Sequence, residues 1–340
     1  MKSSKKWLAL VLAGTLALGI AGCGGDTKKD KQEITVYAGM LEEYMKQGAQ
    51  EFEKETGIKV NAVRMSSGEV VNKLRAEKNN PQAAVWWGGP ADGYIQAKEE
   101  GLLEQYASPS AKIIPDQFKD TDGYWTGIYI GYLGFASNKK LLDEKGVPVP
   151  QSWQDLLDPR LQGQVSAANP GSSGTAYTTL ATVVQLMGEE QGLQYMKNLD
   201  GQIRSYQKSG TAPARMAGQG EAIVGITFMH DAIVYREQGM VDLVVSAPKE
   251  GTGYEIGGVA LIKGGPNQEA AKKFIDWAIS KNGQEIGQKT GSYQFLTNPE
   301  ASQPAQADEL KDTVLISYDF AWAGKTKQDL IEKWSKATGK

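Results

Sequence analysis

The first hundred residues alternate strand-like and helix-like segments three times, and this alternation constrains the fold more than any other feature. The short apolar segments are residues 34–38, 58–65 and 83–87. Each precedes a stretch with helical spacing, a pattern typical of a parallel sheet flanked by helices. Ligands of such sheets bind beyond the carboxyl ends of the strands, so we expect a site near the turns at 38–40, 66–68 and 88–90.

A second series of strands and helices follows the Gly-rich, aromatic segment 125–138. Its strand-like segments are residues 164–168, 203–206, 222–228 and 242–247. The chain is then predicted to end in helices at 267–280 and 326–338. The last of these has Thr326 and Asp329 at the spacing of a capping box.

The two series are connected twice, which predicts two domains with a cleft between them. The first crossing is the segment 125–138, and the second runs through 250–255 into a further strand at 256–262. A cleft between two open α/β domains is where a ligand is buried. We expect one lobe from 34–130 plus 256–295, and the other from 131–255 plus 296–340.

Composition restricts the function further. At 340 residues the chain exceeds the size at which one hydrophobic core usually stops growing, which agrees with two domains. Its 37 basic and 40 acidic side chains give a net charge of −3, which argues against nucleic acid as the main partner. One cysteine and one histidine exclude an internal disulfide and a multi-histidine metal site. A mean hydropathy of −0.41 with one long apolar run excludes a membrane protein with several spans.

Residues 1–22 have the layout of a secretory signal peptide. Three lysines precede an apolar stretch at 7–20, and Ala21 and Gly22 come directly before Cys23. The Ile-Ala-Gly-Cys run resembles a bacterial lipobox, in which the cysteine is lipidated and becomes the first mature residue. Two or more acyl chains anchor a protein stably. Residues 23–33 then form a polar tether. The alternative is a plain signal peptide with an incidental cysteine, and both hypotheses predict export.

Two turns rich in glycine and hydroxyl groups are candidate anion sites. The segment 169–175 (Asn-Pro-Gly-Ser-Ser-Gly-Thr) leads into a helix, and Ser66, Ser67 and Gly68 form a turn in the first series. Backbone N–H groups, hydroxyl donors and the positive end of a helix dipole suit a phosphate. Neither turn contains Lys or Arg, and serines that cap ordinary helices look the same, so a purely structural role is the alternative. The chain lacks the G-x-x-x-x-G-K-[ST] motif of a P-loop.

Three polar residues and two tryptophans are candidates for contacts elsewhere on the ligand. His230 and Asp231 come just after a predicted strand, and Glu255 lies in the Gly-rich second crossing. Each has an ordinary alternative, namely a histidine satisfied in a loop, a capping aspartate or a surface carboxylate. Trp86 and Trp87 either stack on a sugar ring or pack in a core, and adjacent strand residues face opposite ways.

The chain resembles a known family over nearly its whole mature length, in the segments 33–37 (EITVY), 87–92 (WGGPAD) and 253–258 (GYEIGG). The family is the extracellular solute-binding proteins of ABC importers, in the group that binds ferric iron, aminoethylphosphonate or hexose phosphates. The resemblance implies an α/β, two-lobed, periplasmic-binding-protein-like fold of type II that closes on its ligand. Ferric binders carry adjacent tyrosines where this chain has His230 and Asp231, which favours the sugar-phosphate-binding branch.

The resemblance, carried over position by position, assigns ligand contacts to both sets of candidates. Phosphate contacts are expected from Ser66, Ser67, Ser172, Ser173, Gly174 and Thr175. Sugar contacts are expected from His230, Asp231 and Glu255, with Trp87 and Asn169 as weaker candidates. We expect no catalytic residue, no cofactor and no metal site. Aminoethylphosphonate is also compatible, with its ammonium group between Asp231 and Glu255.

Three candidate functions are supported to different degrees by these residues. The favoured one is a monomeric, lipid-anchored binding protein that captures a phosphorylated solute by lobe closure and delivers it to the permease of an ABC importer. The preferred solute is a hexose phosphate. The alternative is a carrier of aminoethylphosphonate, ferric iron or another metal; His230, Asp231 and Glu255 would suit a divalent ion better than iron(III). A hydrolase is disfavoured because the chain has no G-x-S-x-G elbow and any triad depends on His230.

Overall fold

The computed structural model describes residues 32–340. The predicted signal peptide at 1–22 and the lipidation site Cys23 lie outside the described residues, as does most of the tether predicted at 23–33. The last tether residue, Glu33, is already the first residue of a strand. Within residues 32–340, no helix has both the length and the apolar character needed to cross a membrane.

Strands and helices alternate along most of the described chain. The strands are β1 (Glu33–Ala38), β2 (Lys59–Arg64), β3 (Val85–Pro90), β4 (Leu103–Glu104), β5 (Thr126–Asn138), β6 (Val165–Ala168), β7 (Ile203–Gln207), β8 (Val224–Phe228), β9 (Leu243–Ser246), β10 (Tyr254–Ile262) and β11 (Phe295–Leu296). The helices are α1 (Glu42–Thr56), α2 (Ser67–Ala76), α3 (Ala91–Glu99), α4 (Lys139–Lys145), α5 (Gly174–Met187), α6 (Glu189–Asp200), α7 (Ala212–Gly218), α8 (Met229–Glu237), α9 (Gln268–Ile279), α10 (Lys281–Lys289) and α11 (Phe320–Thr338). Short 3-10 helices are formed by Pro109–Lys112, Asp116–Phe118, Gln154–Leu157, Pro159–Leu161 and Ala305–Leu310.

The strands of the described chain form one mixed sheet. Its order is β2-β1-β3-β10-β5-β8-β6-β7, with β4 paired to β10 and with β9 and β11 paired to β5. β1 pairs in parallel with β2 and β3, and β6 pairs in parallel with β7 and β8. β10 runs antiparallel to β3 and β5. The two alternating series therefore form two parallel groups of three strands, and the predicted crossings form the antiparallel strands between them.

Strand β5 belongs to both halves of this sheet. Residues 126–132 pair with β10 and β11, whereas residues 133–138 pair with β8 and β9. We refer to the half with β1 to β4, β10 and β11 as lobe 1, and to the half with β6 to β9 as lobe 2. The exact lobe boundaries expected above, at 130, 255 and 295, stay a prediction.

Each lobe has its own apolar core. In lobe 1, Trp87 packs with Phe52 in one cluster and Trp86 packs in another, because adjacent strand residues face opposite sides of the sheet. In lobe 2, Trp153 and Trp334 belong to a third cluster. Full burial of a large apolar side chain contributes about 2 kcal/mol, so these clusters stabilise each lobe substantially.

The last helix, α11, connects the two lobes. It packs on α3 of lobe 1 and on α5 and α6 of lobe 2. Gly324 allows the close approach to α3, since a Cβ at this position would lie 2.5 Å from Ile95 Cγ2. Lys327 of α11 forms a buried ion pair with Asp92 of α3. Its ammonium nitrogen also lies 4.5 Å from the ring centroid of Tyr177 in α5, so this pair touches both lobes.

Candidate functional site

A cavity lies between the lobes at the carboxyl ends of the strands. All three turns expected to line a site contribute to it, through Gly39 and Met40, through Ser66 and Ser67, and through Pro90. Lobe 2 lines the opposite side with the start of α5, the turn after β7 and the start of α8. The structure therefore has a cavity at the strand ends where a site was expected.

Ser66 and Ser67 begin helix α2 and also face this cavity. The Ser66 side chain accepts a hydrogen bond from the N3 backbone N–H, and the Ser66 N–H donates to Glu69 Oε2 at 3.2 Å, which completes a capping box. Both serines are buried and line the cavity. Ser66 therefore caps the helix and also lines the cavity. The N-terminus of α2 supplies the positive end of a helix dipole.

Helix α5 presents its N-terminus from the other lobe. Ser173 caps it by accepting from the Ala176 N–H at 3.3 Å, and Ser173, Gly174 and Thr175 line the cavity. Asn169 and Ser172 are not among the lining residues. Asn169 Oδ1 accepts from the Gly171 N–H at 2.8 Å, so this side chain shapes the turn. The six predicted phosphate residues therefore converge from two lobes, with Ser172 set back from the cavity.

The two turns touch each other across the cleft. The Gly68 N–H donates to the Ser172 carbonyl at 3.1 Å. A Cβ at Gly68 would lie 2.6 Å from the Gly171 carbonyl oxygen, and a Cβ at Gly174 would lie 2.7 Å from Pro90 Cδ. Only glycine permits this approach, so the structure has its lobes closed over the cavity.

Arg64 is the charged lining residue that the sequence did not lead us to expect. It ends β2, two residues before Ser66, and it lines the cavity. Nε donates to the Met40 carbonyl at 3.3 Å, and Nη2 donates to Ser209 Oγ at 3.0 Å. The two predicted turns contain no Lys or Arg, and this cation comes instead from the carboxyl end of the strand before the Ser66 turn.

The cavity is also lined by His230, Asp231 and Glu255. His230 and Asp231 lie in the first turn of α8, directly after β8, and Glu255 lies on β10. His230 Nε2 lies 3.6 Å from Asp231 Oδ1 and 3.9 Å from Glu255 Oε1. Among the described residues, no group hydrogen-bonds to His230 Nδ1. The three predicted side chains thus meet in one buried polar cluster.

Burial controls the protonation of this cluster. It lowers the pKa of His230 to about 3, so the imidazole is neutral at physiological pH. Burial raises the pKa of Asp231 to about 7, an effect that the charge of Arg64 partly opposes. The pKa of Glu255 is raised well above its usual value, first by burial and then by the charge of Asp231. The cluster therefore offers both donors and acceptors, which suits hydroxyl groups.

Trp87 does not line the cavity, so its expected sugar contact has no support in the structure. Its ring lies in the lobe 1 core, 5.4 Å from Tyr44 and 5.2 Å from Phe274 between centroids. The strand β3 is buried on both faces, and a large apolar ring there packs inward. Trp86 is likewise packed, in a stack with Tyr94.

The polar cluster is not arranged as a metal site. Within residues 32–340, no group of three or more His, Cys, Asp or Glu side chains has the geometry to hold a metal ion. The distances of 3.6 and 3.9 Å between His230 Nε2 and the carboxylates describe a loose polar contact.

Comparison with known proteins identifies the family. The model of the family described as "Bacterial extracellular solute-binding protein" matches residues 93–322, which is more than half of the chain. The chain belongs to this family. This solute-binding protein shares 43% sequence identity with the periplasmic binding protein AfuA from Actinobacillus pleuropneumoniae, whose structure contains exogenous fructose-6-phosphate. That match has a TM-score of 0.88 and covers 91% of this chain and 99% of AfuA.

Two curated relatives extend the comparison. An uncharacterized Haemophilus influenzae protein is 43% identical to this solute-binding protein over 98% of both chains. A Salmonella typhimurium protein, whose name assigns it provisionally to periplasmic 2-aminoethylphosphonate binding, is 28% identical over 68% of both chains. These similarities confirm the predicted family and its two-lobed type II fold. The function at this level is solute binding outside the cytoplasm for an ABC importer, with a small-molecule ligand and a permease as partners.

Proposed function

We propose that this chain captures a phosphorylated sugar by closing its two lobes, with a hexose phosphate as the preferred ligand. A lipid anchor at Cys23 then holds the protein at the membrane, where it delivers this ligand to its permease. The observation that carries the proposal is that one cavity is lined by two sets of groups. Two helix N-termini with Arg64 form what we call the anion-binding end, and the buried cluster of His230, Asp231 and Glu255 forms what we call the hydroxyl-binding end.

The anion-binding end combines two helix N-termini with one cation. Ser67 and Ser173 mark the starts of α2 and α5, and Arg64 adds a guanidinium group. Backbone N–H groups at helix starts and a forked guanidinium both suit phosphate oxygens. The hydroxyl-binding end is formed by His230, Asp231 and Glu255, which supply hydrogen-bond donors and acceptors in a buried setting. A sugar phosphate has these two kinds of polar group at its two ends.

Lobe closure explains how such a ligand is held. The ligand phosphate would contact α2 from lobe 1 and α5 from lobe 2, so both sets of contacts exist only when the lobes are closed. A ligand that binds the closed state better than the open state shifts the population towards it. The similarity to AfuA, solved with fructose-6-phosphate, supports a sugar phosphate as the ligand.

Aminoethylphosphonate is the second candidate ligand. It is supported by the two carboxyl groups in the cavity, which would bind its ammonium group. Asp231 and Glu255 lie in the cavity that also holds the anion-binding end, where an ammonium group would meet them. The similarity to the Salmonella typhimurium relative supports this alternative. An ammonium ligand would hold both carboxyl groups in the charged form, so its binding releases protons at neutral pH.

A binding panel tests the proposal and separates the candidates. The protein from residue 31 onward forms one compact unit and is suitable for titration calorimetry and thermal unfolding. The panel contains hexose phosphates, free hexoses, inorganic phosphate, aminoethylphosphonate and ferric citrate. A ligand at about a thousand times its Kd adds about 4 kcal/mol of stability. Binding of a hexose phosphate supports the proposal, whereas a response to aminoethylphosphonate alone or to iron alone overturns it.

The role of Asp231 has its own test. Asp231→Ala should weaken hexose phosphate binding by about 1–3 kcal/mol, because a ligand hydroxyl loses its partner in a buried site. An unchanged Kd removes Asp231 from the proposed contacts. The anchor is tested separately with Cys23→Ala, which should move the protein from the membrane fraction to the soluble fraction.

A further inference from the structure

Arg64 is a cation whose hydrogen-bond partners are neutral. Its Nε donates to the Met40 carbonyl at 3.3 Å and its Nη2 donates to Ser209 Oγ at 3.0 Å. Within the part of the chain that the structure describes, no carboxylate forms an ion pair with it. A guanidinium has five N–H donors, so these two bonds leave donors for a ligand.

The acidic residues of the cavity do not neutralise this cation fully. Asp231 and Glu255 line the same cavity, but burial raises the pKa of both carboxyl groups. At neutral pH they therefore carry less negative charge than two exposed carboxylates would. Arg64 remains the charged donor at the anion-binding end.

The charge at this end matches a phosphate monoester. A helix N-terminus is equivalent to roughly half a positive charge, so α2, α5 and Arg64 together present about two. A phosphate monoester carries about −1.5 to −2 at pH 7. A sulfate monoester has nearly the same shape with a single negative charge. The two esters therefore differ in the one property that Arg64 would recognise.

Arg64 also contacts the opposite lobe. It lies on β2 of lobe 1, and Ser209 lies in the turn after β7 of lobe 2. Ser209 Oγ is 3.0 Å from Thr211 Oγ1, and Thr211 lines the cavity. The guanidinium of Arg64 in lobe 1 thus forms a hydrogen bond with Ser209 of lobe 2.

We propose that Arg64 selects the doubly charged phosphate ester over singly charged anions of the same shape, and that its bond to Ser209 couples this selection to lobe closure. This inference rests on the proposed function. Arg64 acts as a specificity-determining residue, and Ser209 acts as a positioning residue that holds the guanidinium in the closed state.

Calorimetric titration with fructose 6-phosphate and fructose 6-sulfate tests the selection. The wild-type protein should prefer the phosphate by about tenfold or more, since the second negative charge of the phosphate adds Coulomb attraction to the guanidinium. Arg64→Met should reduce this preference to about twofold or less, and Arg64→Lys should keep part of it because the charge remains. An unchanged preference in Arg64→Met overturns the inference.

Lys208 provides a matched control. It also spans the cleft, with its Nζ 2.9 Å from Glu69 Oε1, but its side chain is 84% exposed. Lys208→Met removes one positive charge from the same region without changing the cavity, so the preference should stay as in the wild type. An equal loss of preference in Lys208→Met attributes the effect to general electrostatics and overturns the role of Arg64.

Ser209→Ala tests the coupling with the charge left in place. It should weaken the binding of both esters by the same factor and keep the preference, and small-angle scattering at a fixed ligand concentration should show more open protein. Unchanged affinities overturn the coupling. A wild-type protein that binds neither ester overturns the proposed function together with this inference, whereas the outcomes above concern Arg64 alone.

Discussion

His230 lies directly against Gly131, and the missing side chain of Gly131 makes room for the imidazole. A Cβ at position 131 would stand 2.4 Å from His230 Cε1 and 2.8 Å from Glu255 Oε1. Gly131 on β5 is also the register partner of Glu255 on β10. One backbone position in the shared strand therefore sets the spacing of the buried polar cluster.

Gly131→Ala should weaken ligand binding by about tenfold or more, because the added methyl group displaces His230 and Glu255 together. Calorimetry with a hexose phosphate measures this effect. Gly201→Ala is the control, since its Cβ would meet only the Asn198 carbonyl oxygen, at 3.3 Å. Equal affinities for Gly131→Ala and the wild type would show that the position of His230 does not matter for binding.

Gly68→Ala and Gly48→Ala should separate closure from folding. The Cβ at Gly68 meets the Gly171 carbonyl oxygen across the cleft, whereas the Cβ at Gly48 would lie 2.4 Å from Trp87 Cη2 inside lobe 1. We expect Gly68→Ala to weaken ligand binding without lowering the unfolding free energy measured in the absence of ligand, since alanine has a higher helix propensity than glycine within α2. Gly48→Ala should lower that free energy by about 1–3 kcal/mol. Urea unfolding and calorimetry check both, and a Gly68→Ala protein with normal affinity contradicts the closed state described here.

Asp231 should make stability fall as pH rises. Its pKa is raised from 3.8 to about 7 by burial, so between these values the unfolded chain loses the proton before the folded protein does. Asp231→Asn removes this titration, and its advantage over the wild type should grow by about 4 kcal/mol from pH 4 to pH 8. Urea unfolding across this range measures it. The exposed Asp242→Asn serves as control, and a constant difference between Asp231→Asn and the wild type refutes the prediction.

Lys327→Met should destabilise the protein strongly, because it leaves the carboxylate of Asp92 buried without its partner. Removing one member of a buried ion pair typically costs about 3–5 kcal/mol. The double variant Asp92→Leu with Lys327→Met should recover at least about 2 kcal/mol of this loss, because it leaves no buried charge unpaired. Urea unfolding of the three proteins decides, and a double variant no more stable than Lys327→Met would argue against the ion pair as the cause.

Hydrophobic periodicity was sufficient to predict most elements of the fold. The strand predicted at 222–228 is β8 (Val224–Phe228), and the helical stretch predicted after the apolar segment 34–38 is α1 (Glu42–Thr56). These segments combine local propensity with a clear apolar pattern, so local and global preferences agree.

Helix starts and glycine-containing helices were harder to predict. The last helix begins at Phe320 and is capped by Asp319, which accepts from the Trp322 N–H at 2.9 Å, so the capping box expected at Thr326 is wrong. Thr326 Oγ1 instead donates to the Trp322 carbonyl inside the helix. Helix α10 was not predicted because its glycines have low helix propensity. A Cβ at Gly283 would lie 2.1 Å from the Trp277 carbonyl oxygen, so tertiary packing requires glycine there.

The residues of the candidate site that directly follow strands were predicted from the sequence. The prediction failed for residues whose part in the site depends on the direction of the side chain. His230, Asp231 and Glu255 meet because their strands end or cross at the same edge of the sheet. Trp87 was expected in the site but points into the core, and Arg64 was overlooked because one arginine at a strand end resembles an ordinary surface charge. The face to which each side chain points depends on the register of the sheet, which the chain's periodicity does not determine.

The shared sheet also determines the order in which this protein can fold as it leaves a ribosome or a translocon, N-terminus first. Strand β10 (Tyr254–Ile262) lies between β3 and β5, so lobe 1 lacks the strand that joins β3 to β5 until residue 262 has emerged. The core of lobe 2 is complete only when Leu330 and Trp334 of α11 have also been synthesised. Each lobe therefore has a complete sheet and core only after late parts of the chain have been made, and we expect stable folding of either lobe to follow the synthesis of most of the chain.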